Sequence, residues 1–302
     1  MNETERVIAV AGAERPKVSL EEYYTEAGAD YAAWSREFNM HFGYFRWGMN
    51  PFDRERMLEQ MNAEVLRRLR LEDAKKTRVL DMGCGLGATL RSFARRFPKA
   101  ELTGITRVPW QVEQATQLNR RAGCDRIRVV EGNYERSPFA SGEMDAVYAV
   151  ESSCHARGVD KRQLLMEARR VLRPGGRLVV ADGFLERGGT LHGLQRAILR
   201  KLCECWVIDT WGELDAFVGE LERLGFEEIE VECLQYRVAP STFHIPWVTA
   251  KFLLSEVVFG EGKMTRARWN NVVAPVLLPL VSMPLGPMVY CMVSATRGKD
   301  LG

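Results

Sequence analysis

The sequence predicts an α/β fold: a doubly wound, mostly parallel sheet of seven strands with helical lid insertions. Three observations lead there. Short apolar runs alternate with helical patterns from Arg78 to Ala181. The first of these runs passes through Asp81 into the alternating glycines Gly83, Gly85 and Gly87, and a helical pattern follows at once. After Asp182 the alternation breaks, and helical stretches separate the last two strands from the other five.

Composition narrows the class. Hydrophobic residues make up 46% of the 302, enough for a sizeable core. The 42 basic and 40 acidic residues leave a net charge of +2, which marks no polyanion-binding surface, so no nucleic-acid partner is expected. The opening MNETERVIAVAGAERPK carries acids and only a short apolar stretch, unlike a signal peptide. Seven cysteines without regular spacing suit a reducing compartment, and a cytoplasmic location is expected. Residues 272–296 carry no formal charge and would be long enough to span a bilayer. Pro275, Pro279, Pro284 and Pro287 interrupt them, so the segment reads as an apolar lid helix and a buried last strand. Peripheral membrane contact and homo-oligomer formation stay open.

Taken in order, residues 1–20 read as a loose leader and 21–31 as helical. The aromatic-rich residues 34–48 follow neither a helical nor a strand period. Such a stretch fits either a plug on the core or the wall of a pocket. Asp53 caps a helix on which Met57, Leu58, Met61, Val65, Leu66 and Leu69 recur at helical spacing. Strands are expected at 78–82, 101–105, 128–131, 146–150 and 177–181, with helices starting near Ala88, Trp110 and Lys161. Pro174-Gly175-Gly176 makes a sharp helix stop before the fifth strand. Helical insertions follow near 190–205 and 211–224, then a strand at 228–234. A second insertion from Pro240 to Pro287 precedes the last strand.

The unit at residues 79–88 suits an adenosyl ligand held on backbone amides at a helix start, where glycines admit positive φ and close approach. Gly83, Gly85 and Ala88 also satisfy the dinucleotide fingerprint. A dinucleotide enzyme would normally carry an acid at the end of the second strand, and here Gly104-Ile105-Thr106-Arg107 has none. Arg107 keeps an NADP-dependent oxidoreductase among the alternatives, as a 2′-phosphate contact. Asp81 before the glycines, and their tight rhythm, suit an adenosine with a charged amino-acid tail.

Five ordered motifs carry a resemblance. Residues 79–87 resemble the first motif of class I S-adenosylmethionine-dependent methyltransferases. Gly104-Ile105-Thr106 with Gln111-Val112 and Ala115 resembles the second-strand region of the sterol, tocopherol and cyclopropane-lipid branch, where Thr and Gln replace the acidic ribose ligand. Gly132-Asn133-Tyr134 with Pro138-Phe139 resembles the loop flanking the adenine, Asn133 standing where many relatives have Asp. Residues 145–156, ending Glu151-Ser152-Ser153-Cys154-His155-Ala156, are similar to the strand-four motif of sterol C-methyltransferases, and Glu167 with 170–176 completes the set. The resemblance implies a Rossmann-like methyltransferase fold and S-adenosylmethionine as cofactor. It places the cofactor-binding core at 71–185, behind an N-terminal helical and aromatic cap at 1–70. Residues 186–302 would hold the lid insertions and the last two strands. The expected cofactor residues are Asp81, Gly83, Cys84, Gly85, Gly87, Thr106, Gln111, Asn133, Tyr134 and Glu151, with Tyr24, His41 and Tyr44 closing over from the front. The plainer alternative for Asp81 is a loop cap, and for Gln111 an exposed helix position.

The acceptor is expected to be a lipophilic small molecule, most simply an isoprenoid or sterol-like alkene methylated on carbon. Oxygen or nitrogen methylation of an aromatic natural product is the alternative. An alkene attacks through its π electrons and leaves a cation that must then lose a proton. Glu151 and His155, at the carboxyl end of strand four, are the candidate catalytic pair: either as base, Glu151 also as counter-charge. The plainer reading has Glu151 orienting the N-terminal segment and His155 as a satisfied core histidine. Tyr31, Phe42, Trp47, His244 and Trp247 are the candidate acceptor contacts. No metal site is expected: Cys203 and Cys205 have no histidine placed near them to complete a zinc set.

Overall fold

The computed structural model describes residues 18–72, 76–186, 191–260, 263–282 and 286–299; most of the expected leader at 1–20 lies outside them. The chain enters through α1 (Leu20–Ala27), which Ser19 and Glu22 close with a capping box, and continues as a 3₁₀ turn, Gly28–Ala33. Residues 34–53 form no regular element until the Asp53 side chain accepts from the Arg56 amide and starts α2 (Arg54–Leu69). Six apolar side chains of α2, Met57 to Leu69, are buried, each worth about 1.5–3 kcal/mol against exposure.

The alternating part follows: β1 (Arg78–Met82), α3 (Ala88–Arg96), β2 (Glu101–Thr106), α4 (Pro109–Arg121), β3 (Arg128–Glu131), β4 (Met144–Val150), α5 (Arg162–Val171) and β5 (Leu172–Leu185). Next come α6 (Gly193–Trp206), the two-residue β6 (Gly212–Glu213), α7 (Leu214–Arg223) and β7 (Phe226–Cys233). The late helices α8 (Gln235–Thr242), α9 (Ile245–Phe259), α10 (Arg266–Leu277) and α11 (Pro279–Ser282) lead into β8 (Met288–Arg297).

Seven strands run in the order β3-β2-β1-β4-β5-β8-β7, and β6 adds a short parallel pairing to β5. Strands β1 to β5 are parallel, and β8 lies antiparallel between β5 and β7. The strand order reverses between β1 and β4, the position where open α/β sheets bind ligands beyond their carboxyl ends. The register sets Asp81 between Gly104 and Tyr148, so the loop after β1 and the loop after β4 rise side by side.

One expectation is corrected. The stop at Pro174-Gly175-Gly176 is a kink inside β5, which starts at Leu172 directly after α5. Gly175, at φ 75°, absorbs the bend that was expected to end the helix. The uncharged run at 272–296 takes the form expected of it: the end of α10, which starts at Arg266 under a Thr265 cap, then α11 and the mostly buried β8. Among the described residues, no helix is long and apolar enough to cross a membrane.

Candidate functional site

Two cavities meet at the carboxyl edge of the sheet. The narrower is a cleft along the glycine loop, lined by Asp81, Gly83, Cys84, Gly85, Thr106, Gln111, Asn133 and Tyr134. The wider has a volume of about 440 Å³ and is walled by rings from Tyr31, Trp34, Phe42, Trp206, Trp211 and Phe252. Five residues line both: Tyr24, Met40, His41, Glu151 and His155.

The cleft owes its shape to backbone without side chains. Gly83, Gly85 and Gly87 have φ of 98°, 49° and 75°, a left-handed region costly for other residues. A Cβ on Gly83 would stand 2.4 Å from Ser152 Cβ, and one on Gly104 would stand 2.6 Å from Cys84 Cβ. The loop is tied down from three directions. The Gly83 and Cys84 amides donate to the Ile105 carbonyl, and Ser152 Oγ donates to the Met82 carbonyl. The fully buried Arg91 donates to the Leu86 carbonyl at 2.6 Å and to the Glu37 carbonyl at 2.6 Å, joining loop to N-terminal segment.

Polar groups of the cleft are few and placed. Thr106 Oγ1 donates to Gln111 Oε1 at 2.6 Å, which fixes the side-chain amide and leaves its N–H groups for a ligand. Asn133 Oδ1 accepts from the Glu135 amide, and Tyr134 donates to the Ser152 carbonyl. Burial pushes the Asp81 carboxyl up to about 7, with the Tyr148 hydroxyl acting in the opposite sense. A cationic amino group beside Asp81 would restore its charge. These features fit S-adenosylmethionine: a Cβ-free cradle, a fixed amide able to meet a ribose, and an acid that burial leaves short of a cation.

Glu151 is the hinge of the arrangement. It follows β4 at φ 47°, a strained angle for this residue, held by its amide donating to the Ala181 carbonyl. Its Oε1 accepts from the Phe42 amide at 2.6 Å and from Tyr290 Oη at 2.8 Å. Burial pushes the carboxyl up to about 8, the Phe42 amide opposes that, and nearby Asp182 adds to it. His155 Nε2 and Tyr24 Oη are hydrogen-bonded at 3.1 Å, and burial takes the imidazole down to about 4, so it is neutral at physiological pH. Lys161, itself buried, donates to the carbonyls of Cys154 and Ala156 on either side of His155 and to that of Thr210. Asp182 accepts from Ser153 Oγ and the Cys154 amide and braces the same turn.

Other expected contacts lie elsewhere. Tyr44 belongs to the hydrophobic core beneath the Arg237 guanidinium and lines neither cavity. Trp47 is 87% exposed and lines neither cavity. Trp247 faces solvent under Lys251, and His244 Nε2–H donates to the Pro51 carbonyl. Gly87 serves as the left-handed N-cap of α3, one step behind the cleft. His41 lines both cavities, but its ring is committed to the Phe42 carbonyl, Asn39 and Asn62, so it braces the strap. Residues the sequence reading passed over include Tyr290, Met40, Asp182, Lys161 and Arg91. Only Arg91, in the helix after the glycines, lay near a recognisable motif. Among the described residues, no group of three His, Cys, Asp or Glu is placed to hold a metal ion.

Comparison with known proteins follows the same lines. Residues 79–176 match the family model described as "Methyltransferase domain". An O-methyltransferase, rstn1, of Aspergillus nomiae is 30% identical over 70% of this chain and 94% of its own length. The 24-methylenesterol C-methyltransferase 3 of Arabidopsis thaliana is 32% identical over 50% of this chain, an alignment spanning 40% of that enzyme. In fold, the geranyl diphosphate C-methyltransferase of Streptomyces coelicolor A3(2) superposes with a TM-score of 0.66 at 16% identity, covering 93% of this chain and 99% of the other. The chain belongs to the S-adenosylmethionine-dependent methyltransferases. It is an enzyme of that class, and the oxidoreductase alternative falls.

Proposed function

We propose that the enzyme methylates a carbon of an uncharged, lipophilic alkene, isoprenoid or sterol-like in shape. One observation carries this reading: among the described residues, the 440 Å³ cavity is lined by aromatic rings and carboxyl groups and by no Lys or Arg. Of its carboxyls, Asp30 is neutralised by Arg268 and Asp182 is satisfied by hydrogen bonds, while Glu151 uses one oxygen for both its partners. A site of this kind favours positive charge developing on its ligand and disfavours a diphosphate or a phenolate.

Bound in the cleft, S-adenosylmethionine supplies an electrophilic methyl group on a sulfonium. The chain's residues do the rest. The glycine loop, Gln111 and Asp81 hold the adenosyl and amino-acid ends. The aromatic wall excludes water and fixes the alkene, and such orientation is worth roughly 7–11 kcal/mol of barrier. Glu151, common to both cavities, offers a carboxylate to the cation left on the acceptor. Neutral His155 is placed to receive the proton that the cation must lose. The division into an N-terminal cap, a cofactor core and late lids belongs to this reading. Its sterol-type relative agrees with it, although the aligned part is less than half of that enzyme.

Oxygen methylation is the second reading. It is favoured by the buried Glu151 carboxyl, pushed up to about 8 and so a stronger base than an ordinary carboxylate, and by the relative named O-methyltransferase. Mass spectrometry of lipid extracts incubated with enzyme and deuteromethyl-labelled cofactor tests both. Label on carbon of a terpene or sterol is expected; label on a phenolic oxygen overturns the first reading for the second.

A further inference from the structure

The outer wall of the large cavity is an exposed apolar surface. Along α9 the outward positions Trp247, Lys251, Leu254 and Val258 repeat at helical spacing, and all four face solvent. Among the described side chains of that helix only Ile245 is buried. Beside it lies the loop with Trp47 and Phe52, the latter 85% exposed. Two contacts make these one surface: His244 Nε2 meets the Pro51 carbonyl at 2.8 Å, and the Phe45 amide donates to the Arg237 carbonyl at 2.8 Å. Exposed aromatic patches of this extent on a folded chain mark interaction sites.

Two further observations identify the occupant. Tyr236 and Phe243 line the cavity and are also 79% and 73% exposed, so the cavity opens through this patch. The patch is also one-sided in charge. Residues 41–52 and 236–255 contain no Asp or Glu, whereas Arg46, Arg237 and Lys251 lie within them; of the flanking acids, Glu256 on α9 is paired with Arg268, and Asp53 caps α2. Among the described residues no ion pair is formed by Arg46 or Lys251; Lys251 instead sits over the Trp247 ring at 5.0 Å. Tryptophan and phenylalanine with unneutralised cations are the composition that settles at the headgroup level of an anionic bilayer.

We propose that the loop 45–52 and helices α8 and α9 form a docking surface for an anionic lipid bilayer, through which a lipophilic acceptor passes from membrane to cavity. The proposal rests on the lipophilic acceptor reading above. It differs from the expectation attached to residues 272–296, because most of β8 is buried between β5 and β7.

Co-sedimentation of the full chain with vesicles of phosphatidylcholine containing about one third phosphatidylglycerol tests it, without any methyl transfer. Binding is expected, weakening as salt is raised. The pair Phe52→Ser with Leu254→Ser should reduce vesicle affinity by about tenfold or more. Lys251→Glu should remove most of the preference for anionic over neutral vesicles. Affinity for S-adenosylhomocysteine by calorimetry should stay within about twofold in each, showing an intact fold. No vesicle binding would overturn the proposal. So would self-association in sedimentation velocity that the same substitutions abolish, since the patch would then be covered by a second copy. If vesicles bind but no lipophilic acceptor is labelled, the docking surface stands and the acceptor reading fails.

Discussion

The two cavities that meet at Glu151 are built on opposite principles. The cleft is made from backbone: a loop closed by the Ile105 carbonyl, glycines at positive φ, and one Thr–Gln pair. The large cavity is made from side chains that arrive from α1, the strap after it, α6, the late helices and β8. A backbone cradle tolerates almost no added atom, whereas a wall of rings spread over six elements yields to each change in part. The cofactor half is therefore rigid and local, and the acceptor half is adaptable and assembled.

The largest break in this comparison is expected on the rigid side. Gly83→Ala would place a Cβ against Ser152 at a φ that alanine resists, and S-adenosylhomocysteine affinity should fall by about a hundredfold or more. Calorimetry reads this, with circular dichroism to establish that the sheet persists. If affinity is kept, the glycine loop is not the cradle.

Next comes the junction. Glu151→Gln keeps the shape and removes the charge, and kcat should drop by about ten- to a thousandfold while cofactor affinity stays within about threefold. The sign of the pH effect follows from the raised carboxyl, about 8 against a usual 4.5. The useful form is the carboxylate, so kcat/KM should climb with pH and level off above about 8, and the Gln variant should lose that limb. His155, near 4, stays neutral across that range and adds no limb of its own. The same burial makes Glu151 favour folding in its protonated form. Its contribution is complete below about 4.5 and is lost as pH rises through about 8, so Glu151→Gln should flatten the fall in Tm over that window.

On the adaptable side, Trp206→Ala should raise the acceptor KM by about five- to twentyfold and leave S-adenosylhomocysteine affinity unchanged. A matching loss of cofactor affinity would mean that the two cavities are not independent. The smallest effect is expected at Gln111→Ala, one hydrogen-bonding group of the cleft, at about two- to tenfold in cofactor affinity.

The same contrast explains what the sequence disclosed. Strands β1 to β4 and the glycine loop were legible because each is a short local pattern whose cleft-lining residues lie within a few residues of it. Asp81, Thr106 and Gln111 line the cleft for that reason. The acceptor cavity was half legible. Tyr31 and Phe42 line it, but Trp47, His244 and Trp247 share its composition and lie outside it, because composition alone does not say which side of a segment meets the cavity. Tyr290, which donates to Glu151 from 139 positions away, carried no local signal at all. Nor did Lys161, whose burial depends on three carbonyls brought together by the fold. A strand's address in the sheet can be read from its neighbours in sequence; a cavity shared by six elements can be read only after they have met.

The central claim is that Glu151 presents negative charge to a cation formed on a neutral acceptor. It is tested most directly by comparing two inert analogues of the identified acceptor in the presence of S-adenosylhomocysteine: one with an ammonium at the cationic carbon, the other its uncharged isostere. The account predicts that the ammonium binds at least about tenfold more tightly, that its advantage grows as pH rises towards 8, and that Glu151→Gln abolishes it. Equal affinity for the two analogues, or an advantage that survives Glu151→Gln, would contradict it.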